Sequence, residues 1–555
     1  MLPDAAALLS DAALARLRAR LLDAGYSLDA VMERLGEQGR SGLGRNSTLP
    51  ARDALDGRLG PWSAPAGRLV DAAKSVDAAH RVAASRPADA TDVVRAAVVA
   101  EAADAGVLDG SDAQASLIRL WVLQDAVPRA RLRRALGSAL DDLEAAGLLV
   151  GSEGGLRASV VVRPYGAEAS ASTPASAGWI CHDPLPNLDG RSDPPAPNHV
   201  LGVSPASTTL AQLTIRRPVG RALDLGTGCG VQTLHLAAHA GRVVATDLNP
   251  RALSLARLTL GLSGVDADLR LGSLYEPVAG EQFDLIVSNP PFVIAPPAGA
   301  KLTYREGSLP GDELVRRVVV DGAARLAPDG TMQVLCNWAI LAGQSIEERL
   351  AGWIAPTGCD ALVLQRERLD PYEYVEMWLS DAGLDRTPEH PRRYRAWLDY
   401  LAGLGIEGIG LGWISVRNAG RARPDVRVEE WPFDVVQPVG EAFAAQHRAV
   451  DLAARDDAAL LATRWRTRPG VVQETLGRPG AADPEHLVLR QSYGLARAVE
   501  VDTALAALVG ACDGELTASE IVGALAHLLE VDVAALADDI TPRLRALVAD
   551  GYLDC

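Results

Sequence analysis

The sequence predicts an α/β protein, a parallel sheet covered by helices, with a helical module on either side of it. Three observations carry that prediction. From Arg221 onward, short β-rich runs ("RALDL", "RVVATD", "DLRLG", "FDLIVS", "TMQVLC", "ALVLQRE" and "GIGLGWISV") are separated by helical stretches, an alternation that builds parallel sheets. The first run passes straight into a glycine-rich turn, "ALDLGTGCG". Outside this region the apolar residues fall at i, i+3 and i+4, as in "RLRARLLDAGYSLDAVMERLG", which is the helical period.

The chain of 555 residues is too long for one core, and domains of ~100–200 residues imply three or four units. Its 48% hydrophobic and 23% charged residues are ordinary for a globular protein. The net charge of −17 is concentrated late, since residues 356–555 hold 20 Lys+Arg against 32 Asp+Glu. A non-specific nucleic-acid binder needs a basic surface, because counterion release drives its affinity, and this chain does not have that composition. The six cysteines show no CxxC or Cys/His metal spacing, which fits a reducing, cytoplasmic compartment and no metal. The N-terminal stretch "MLPDAAALLSDAALARLRARLLDAG" lacks a basic start followed by an apolar core. It reads as neither signal peptide nor anchor, and no run reaches the ~18 apolar residues of a membrane span.

In chain order, residues 1–110 form a helical module. Residues 111–180 read as a winged-helix-like unit: "SLIRLWVLQDAVPRARLRRALGSALDDLEAAGLLV" has helix–turn–helix rhythm and "LRASVVVRPYG" could supply a wing strand. Such a unit can recognise nucleic acid or pack against a partner, and the acidic balance favours packing. "GAEASASTPASAG" and "PLPNLDGRSDPPAPNH" read as linkers. Residues 181–420 form the α/β domain, with a helical insertion between its last two strands around "DPYEYVEMWLSDAG" and "PRRYRAWLDYLAGLG". Residues 421–555 are helical again and winged-helix-like, with Thr517 and Glu520 spaced as a capping box.

The turn after the first strand places glycines at 226, 228 and 230, where the backbone can bend sharply and approach a ligand that a Cβ would block. Asp247, followed by Leu248, closes the next strand, where a carboxylate can accept both ribose hydroxyls. Together these describe a site for an adenosine-containing cofactor. A dinucleotide site would read G-x-G-x-x-G with a pyrophosphate at the helix N-terminus. Here the pattern is D-x-G-x-G-x-G, and Asp224 would oppose a pyrophosphate but attract an ammonium, which favours S-adenosyl-L-methionine. Thr227 belongs to the same turn. Asn249 and Pro250 suit the start of the following helix, and Ser273 and Leu274 end the third strand where the adenine ring would lie.

"FDLIVSNPPF" ends the fourth strand at the same crevice. Asn289 offers a carbonyl acceptor, while Pro290 and Pro291 have no N–H and fix φ near −65°. An NH2 group held by the Asn289 side-chain oxygen and the Pro290 carbonyl would aim its nitrogen at an electrophilic methyl, with Phe292 over its flat face. Amide and ring-amino nitrogens are weak nucleophiles, so orientation should supply most of the catalysis. Cys229 reads as a small residue filling the turn.

With "DLGTGCG", "TD" and "NPPF" joined in this order, residues 195–417 resemble the class I S-adenosylmethionine-dependent methyltransferases with an [ND]-P-P-[FY] motif, including the HemK group. The resemblance implies a Rossmann-like sheet of seven strands with the last pair antiparallel. It also implies a cofactor held by Gly226 to Gly230 and Asp247, and a substrate nitrogen bound by Asn289 to Phe292. Members methylate glutamine amides of translation release factors or exocyclic amines of adenine and guanine. "NPPFVIAPP" with "YREGSLPGDELVRRVV" looks like the glutamine enzymes, and "GTMQVLCNWAI" like the guanine-N2 ribosomal-RNA enzymes. The acidic composition tilts the expectation toward a protein glutamine over RNA or DNA. Thr208, in "HVLGVSPASTTLAQL", matches a Thr or Ser that relatives place near the cofactor. A non-catalytic cofactor-sensing regulator is the remaining alternative, and the intact NPPF motif argues against it.

Overall fold

The computed structural model describes residues 9–58, 110–167, 176–186, 188–190, 196–297, 305, 307, 309–384, 387–478 and 485–555. The helical reading of 59–109 and residues 304, 306 and 308 of "YREGSLPGDELVRRVV" lie outside these residues.

The centre is an eight-stranded sheet, whose strands are numbered here along the chain: β1 (Val219–Leu225), β2 (Ala240–Asp247), β3 (Asp268–Leu271), β4 (Phe283–Ser288), β5 (Leu326–Leu341), β6 (Asp360–Leu369), β7 (Ile406–Arg417) and β8 (Val426–Glu430). Their spatial order is β8-β6-β7-β5-β4-β1-β2-β3. β1 to β5 run parallel, and β7 is antiparallel to both β5 and β6. The order reverses between β1 and β4, so their carboxyl ends open a crevice. β4 stops where Ser288 pairs with Val334. β5 continues to Leu341 against β7, leaving its last residues beside the chain that leaves β4.

Seven strands were expected and all form, with an eighth, β8, parallel to β6. The sheet therefore ends at Glu430, beyond the expected boundary at 420. Val315, Val318 and Val319 of helix Glu313–Ala323 and Leu350 and Ile354 of helix Ile346–Ile354 share one buried core with Ile286, Met332, Val334 and Val363 of the sheet. Each such side chain contributes about 1.5–3 kcal/mol by burial.

In the N-terminal module, helices Asp11–Asp23, Arg129–Leu136 and Ala139–Ala145 share a core with Leu255, Leu258 and Leu262 of helix Pro250–Ser263. The module thus docks on the helix that follows β2. The expected single wing strand is divided: Gly155–Ala158 pairs with Leu149–Ser152, and Val161–Ala167 pairs with Ser176–His182. Ser159 marks the break, its hydroxyl donating to the Gly147 carbonyl at 2.6 Å. The C-terminal module is less purely helical than expected, because Val471–Leu476, His486–Gln491 and Ala498–Val501 form a three-stranded antiparallel sheet. The Thr517/Glu520 capping box forms as expected at the start of helix Ala518–Leu529.

Candidate cofactor and acceptor site

The chain leaves β1 at Leu225 and turns through Gly226, Gly228 and Gly230, with φ of 79°, 56° and 88°. These are left-handed conformations that a side chain disfavours. The N–H groups of Gly226 and Thr227 both donate to the Thr246 carbonyl at 2.9 Å, which ties the turn to the end of β2. A Cβ built on Gly226 or Gly228 would meet no protein atom within 4 Å. At both positions the missing side chain leaves open space beside the backbone.

That space belongs to a cavity of about 430 Å³ lined by the turn, by Thr246 to Asn249, by Gly272 to Leu274 and by Ser288 to Pro291. Asp247 lines it, and its carboxylate is fixed by the N–H groups of Gly228 (2.9 Å) and Asn249 (2.8 Å). Burial pushes its pKa up, while these backbone donors oppose the shift. Leu274 adopts φ 45°, a strained value for a non-glycine residue of the kind found at ligand-binding turns. The residues fit the expected cofactor: a cradle without side chains, an acceptor for paired hydroxyls, and apolar Leu248 and Leu274 for a flat ring.

Asp224 was expected to face the cofactor, and the structure places it in the interior. It does not line the cavity; fully buried behind the turn, it accepts the hydroxyls of Thr227 and Thr233, each at 2.7 Å. Burial pushes its carboxyl up to about 6, although the threonine bonds favour the anion. Thr208 is also displaced from its expected place: exposed on helix Pro205–Leu213, its hydroxyl turns back to the Ser204 carbonyl at 3.3 Å. The cavity is lined instead by Ser204, one helical turn earlier, by Ser207, the residue before Thr208, and by His199 to Gly202. The Gln232 side-chain amide donates to the Ser207 backbone carbonyl at 2.7 Å. Asp183, accepting from the Val200 N–H and from Arg251, fixes the preceding segment. The irregular, proline-rich composition around residues 184–199 concealed this wall. Its one signal is Ser204 before Pro205, an N-cap followed by a helix-starting proline.

Cys229 also lines the cavity, but burial pushes its thiol up to about 12, so it stays protonated and unreactive near neutrality. Beside the turn the Ser288 hydroxyl donates to the Leu225 carbonyl at 2.9 Å, joining the ends of the adjacent strands β4 and β1. Asn289, Pro290 and Pro291 follow directly. The Asn289 Oδ1 atom is buried and, among the described residues, has no hydrogen-bond partner. Phe292 is not part of the lining. Its ring packs edge-on against Trp378 of the insertion, with centroids 6.2 Å apart. The glycine turn and the first three residues of N-P-P-F therefore share one cavity, and the aromatic turns away from it.

Comparison with known proteins agrees with this geometry. Residues 202–352 match the methyltransferase small domain. Residues 23–110 and 100–159, and residues 443–554, match two domains of unknown function, DUF7059 and DUF7782. The chain is 39% identical over 145 residues to a release factor glutamine methyltransferase of Deinococcus radiodurans, covering 24% of this chain and 52% of that protein. It is 37% identical over 125 residues to a ribosomal protein uL3 glutamine methyltransferase of Bradyrhizobium diazoefficiens, covering 20% and 39%. A ribosomal RNA small subunit methyltransferase C of Idiomarina loihiensis is 33% identical over 135 residues, covering 24% and 36%. The chain thus spans about half or less of the length of these relatives. The sheet order, the cavity and the matched region agree in making the central domain of this chain similar to the S-adenosylmethionine-dependent methyltransferases.

Proposed function

We propose that the protein is an N-methyltransferase that modifies a planar amide or amino nitrogen of a macromolecule, with a protein glutamine side chain as the favoured acceptor. The observation that carries this reading is the Asn289 Oδ1 atom, buried and without a partner among the described residues, in a residue that shares its cavity with the glycine turn. A buried acceptor left unpaired costs about 1–3 kcal/mol, and an NH2 donor from a substrate would remove that cost. Pro290 and Pro291 present no competing N–H and stiffen the loop. The Asn289 oxygen and the Pro290 carbonyl would then hold the two N–H groups and fix the direction of the nitrogen.

When bound, the cofactor supplies an electrophilic methyl carbon on a sulfonium. Gly226 to Gly230, Asp247, Leu248, Ser273 and Leu274 would hold it, with Thr227 securing the turn. The chain's contribution is alignment of the nitrogen and stabilisation of the positive charge it acquires.

Two relatives named for glutamine methylation support a protein acceptor. So does the acidic composition, 71 Asp+Glu against 54 Lys+Arg. The likeness to a ribosomal RNA enzyme supports a second reading, in which the acceptor is an exocyclic amine of RNA or DNA such as guanine N2 or adenine N6.

The test is transfer of labelled methyl from S-adenosylmethionine into a lysate of cells lacking the protein, followed by protease or nuclease. Label lost to protease supports the glutamine reading, and label lost to nuclease replaces it with the second. Asn289→Ala should lower transfer about 100-fold or more while changing S-adenosylhomocysteine affinity less than about threefold. Transfer at the wild-type rate would remove Asn289 from the mechanism.

A further inference from the structure

The insertion between β6 and β7 (helices Pro371–Asp381 and His390–Gly403) reaches the loop that carries the proposed acceptor site. Tyr374, fully buried, makes the connection. Its hydroxyl oxygen accepts the Ile294 backbone N–H at 2.8 Å and the Asn337 Nδ2 at 2.8 Å. Ile294 lies five residues beyond Asn289 on the same loop, and Asn337 stands on the part of β5 that extends past β4. The hydroxyl therefore joins three pieces of chain that meet beside the cavity.

The loop needs such a fixed point. At its start, β4 holds Ser288. Pro290 and Pro291 have no N–H, so they cannot tie the backbone to a neighbour. Among the described residues, the next backbone donors with partners are Val293, to the Arg305 carbonyl at 3.0 Å, and Ile294, to Tyr374. Trp378, one turn after Tyr374, packs against both Phe292 and Tyr374, with ring centroids at 6.2 Å and 6.1 Å. Val293 and Ile294 are buried in the same cluster as Tyr374, Val375 and Leu379. The aromatic of N-P-P-F is thus an anchor into the insertion.

We infer that the insertion is a positioning element for the acceptor loop and that Tyr374 is its principal positioning residue, its hydroxyl holding Ile294 so that Asn289 and Pro290 keep a fixed aim. This inference rests on the proposed function of that loop. Catalysis by orientation is sensitive to displacements of about 1 Å, which can cost 10²-fold. The loss of one anchor should therefore appear in turnover before it appears in cofactor binding.

Tyr374→Phe keeps the ring packing and removes only the hydroxyl, whereas Tyr374→Ala would open the core. In the full-length Tyr374→Phe protein, hydrogen exchange of the Ile294 amide should rise at least about tenfold. The kcat for methyl transfer to the labelled lysate fraction should fall about tenfold, and S-adenosylhomocysteine affinity should stay within about twofold. Asn337→Ala, which leaves the Ile294 bond in place, should reduce kcat less. Unchanged exchange at Ile294 overturns the inference, and so does faster exchange with kcat unchanged. If the wild-type protein transfers no methyl to any fraction, the reading of the acceptor loop fails first and this inference falls with it. Transfer by the wild type that Tyr374→Phe leaves unaltered removes only the role of the insertion.

Discussion

Asp224 sits 1% exposed behind the glycine turn, where its two threonine bonds only partly offset the loss of water. Its carboxyl is raised from 3.8 to about 6 in the folded chain. A carboxyl raised on folding favours the folded state while both states are protonated, and that contribution is lost as pH climbs through the folded value. The stability of the wild type relative to Asp224→Asn should therefore decline between about pH 4 and pH 6, by on the order of 1–3 kcal/mol, and level off above. Urea unfolding of both proteins across that range checks it, and a flat difference would mean the carboxyl is not desolvated. Gly226 makes a complementary test, since its φ is 79° and a Cβ there would enter open space. Gly226→Ala should cost about 1–2 kcal/mol of stability from backbone strain. It should also weaken S-adenosylhomocysteine binding at least tenfold by calorimetry, because the added methyl occupies the ligand's side of the turn. Unaltered affinity would place the cofactor elsewhere.

At the scale of elements, the Thr517/Glu520 capping box holds the first turn of helix Ala518–Leu529 by bonds in both directions, Glu520 N–H to the Thr517 hydroxyl oxygen and Thr517 N–H to the Glu520 carboxylate. Thr517→Ala should destabilise the C-terminal module by about 1 kcal/mol, measured as a lower denaturation midpoint, with methyl transfer unaffected. That cap and strands β1 to β7 were legible because each rests on a short-range signal: a hydroxyl before a helix, or a β-rich run between helical stretches. β8 was not. "VRVEE" carries charge at three of five positions, and its pairing partner β6 lies some sixty residues earlier with the whole insertion between them. The site divides the same way. That Gly226, Gly228, Asp247 and Asn289 would meet at one crevice was legible because glycine turns and strand ends announce themselves locally. The inward placement of Asp224, the outward turn of Thr208 and the docking of Phe292 on Trp378 depend on packing between distant segments, which local spacing does not encode.

Over the whole molecule, the charges that hid β8 join the C-terminal module to the sheet. Arg427 and Glu429, two residues apart and so on one face of β8, reach Asp550 at 2.8 Å and Arg497 at 2.7 Å. Their neighbours Val426 and Val428 pack into the sheet's core. The Arg497 guanidinium is 9% exposed, binds both oxygens of Glu429 and lies 5.2 Å from the ring centre of Trp431. Arg417 and Arg421, at and just beyond the end of β7, add bonds to Asp451 of helix Gly440–Ala453. A pair this enclosed matters most when it is broken on one side, because the remaining charge then lacks both water and partner. Arg497→Met should therefore destabilise the protein by about 2–4 kcal/mol. The double variant Glu429→Gln/Arg497→Met, which leaves no stranded charge, should recover a measurable part of that loss. A double-mutant cycle from urea unfolding decides the matter: coupling of at least about 1 kcal/mol makes β8 the electrostatic seam between sheet and module, and strict additivity would assign the docking to apolar contacts alone.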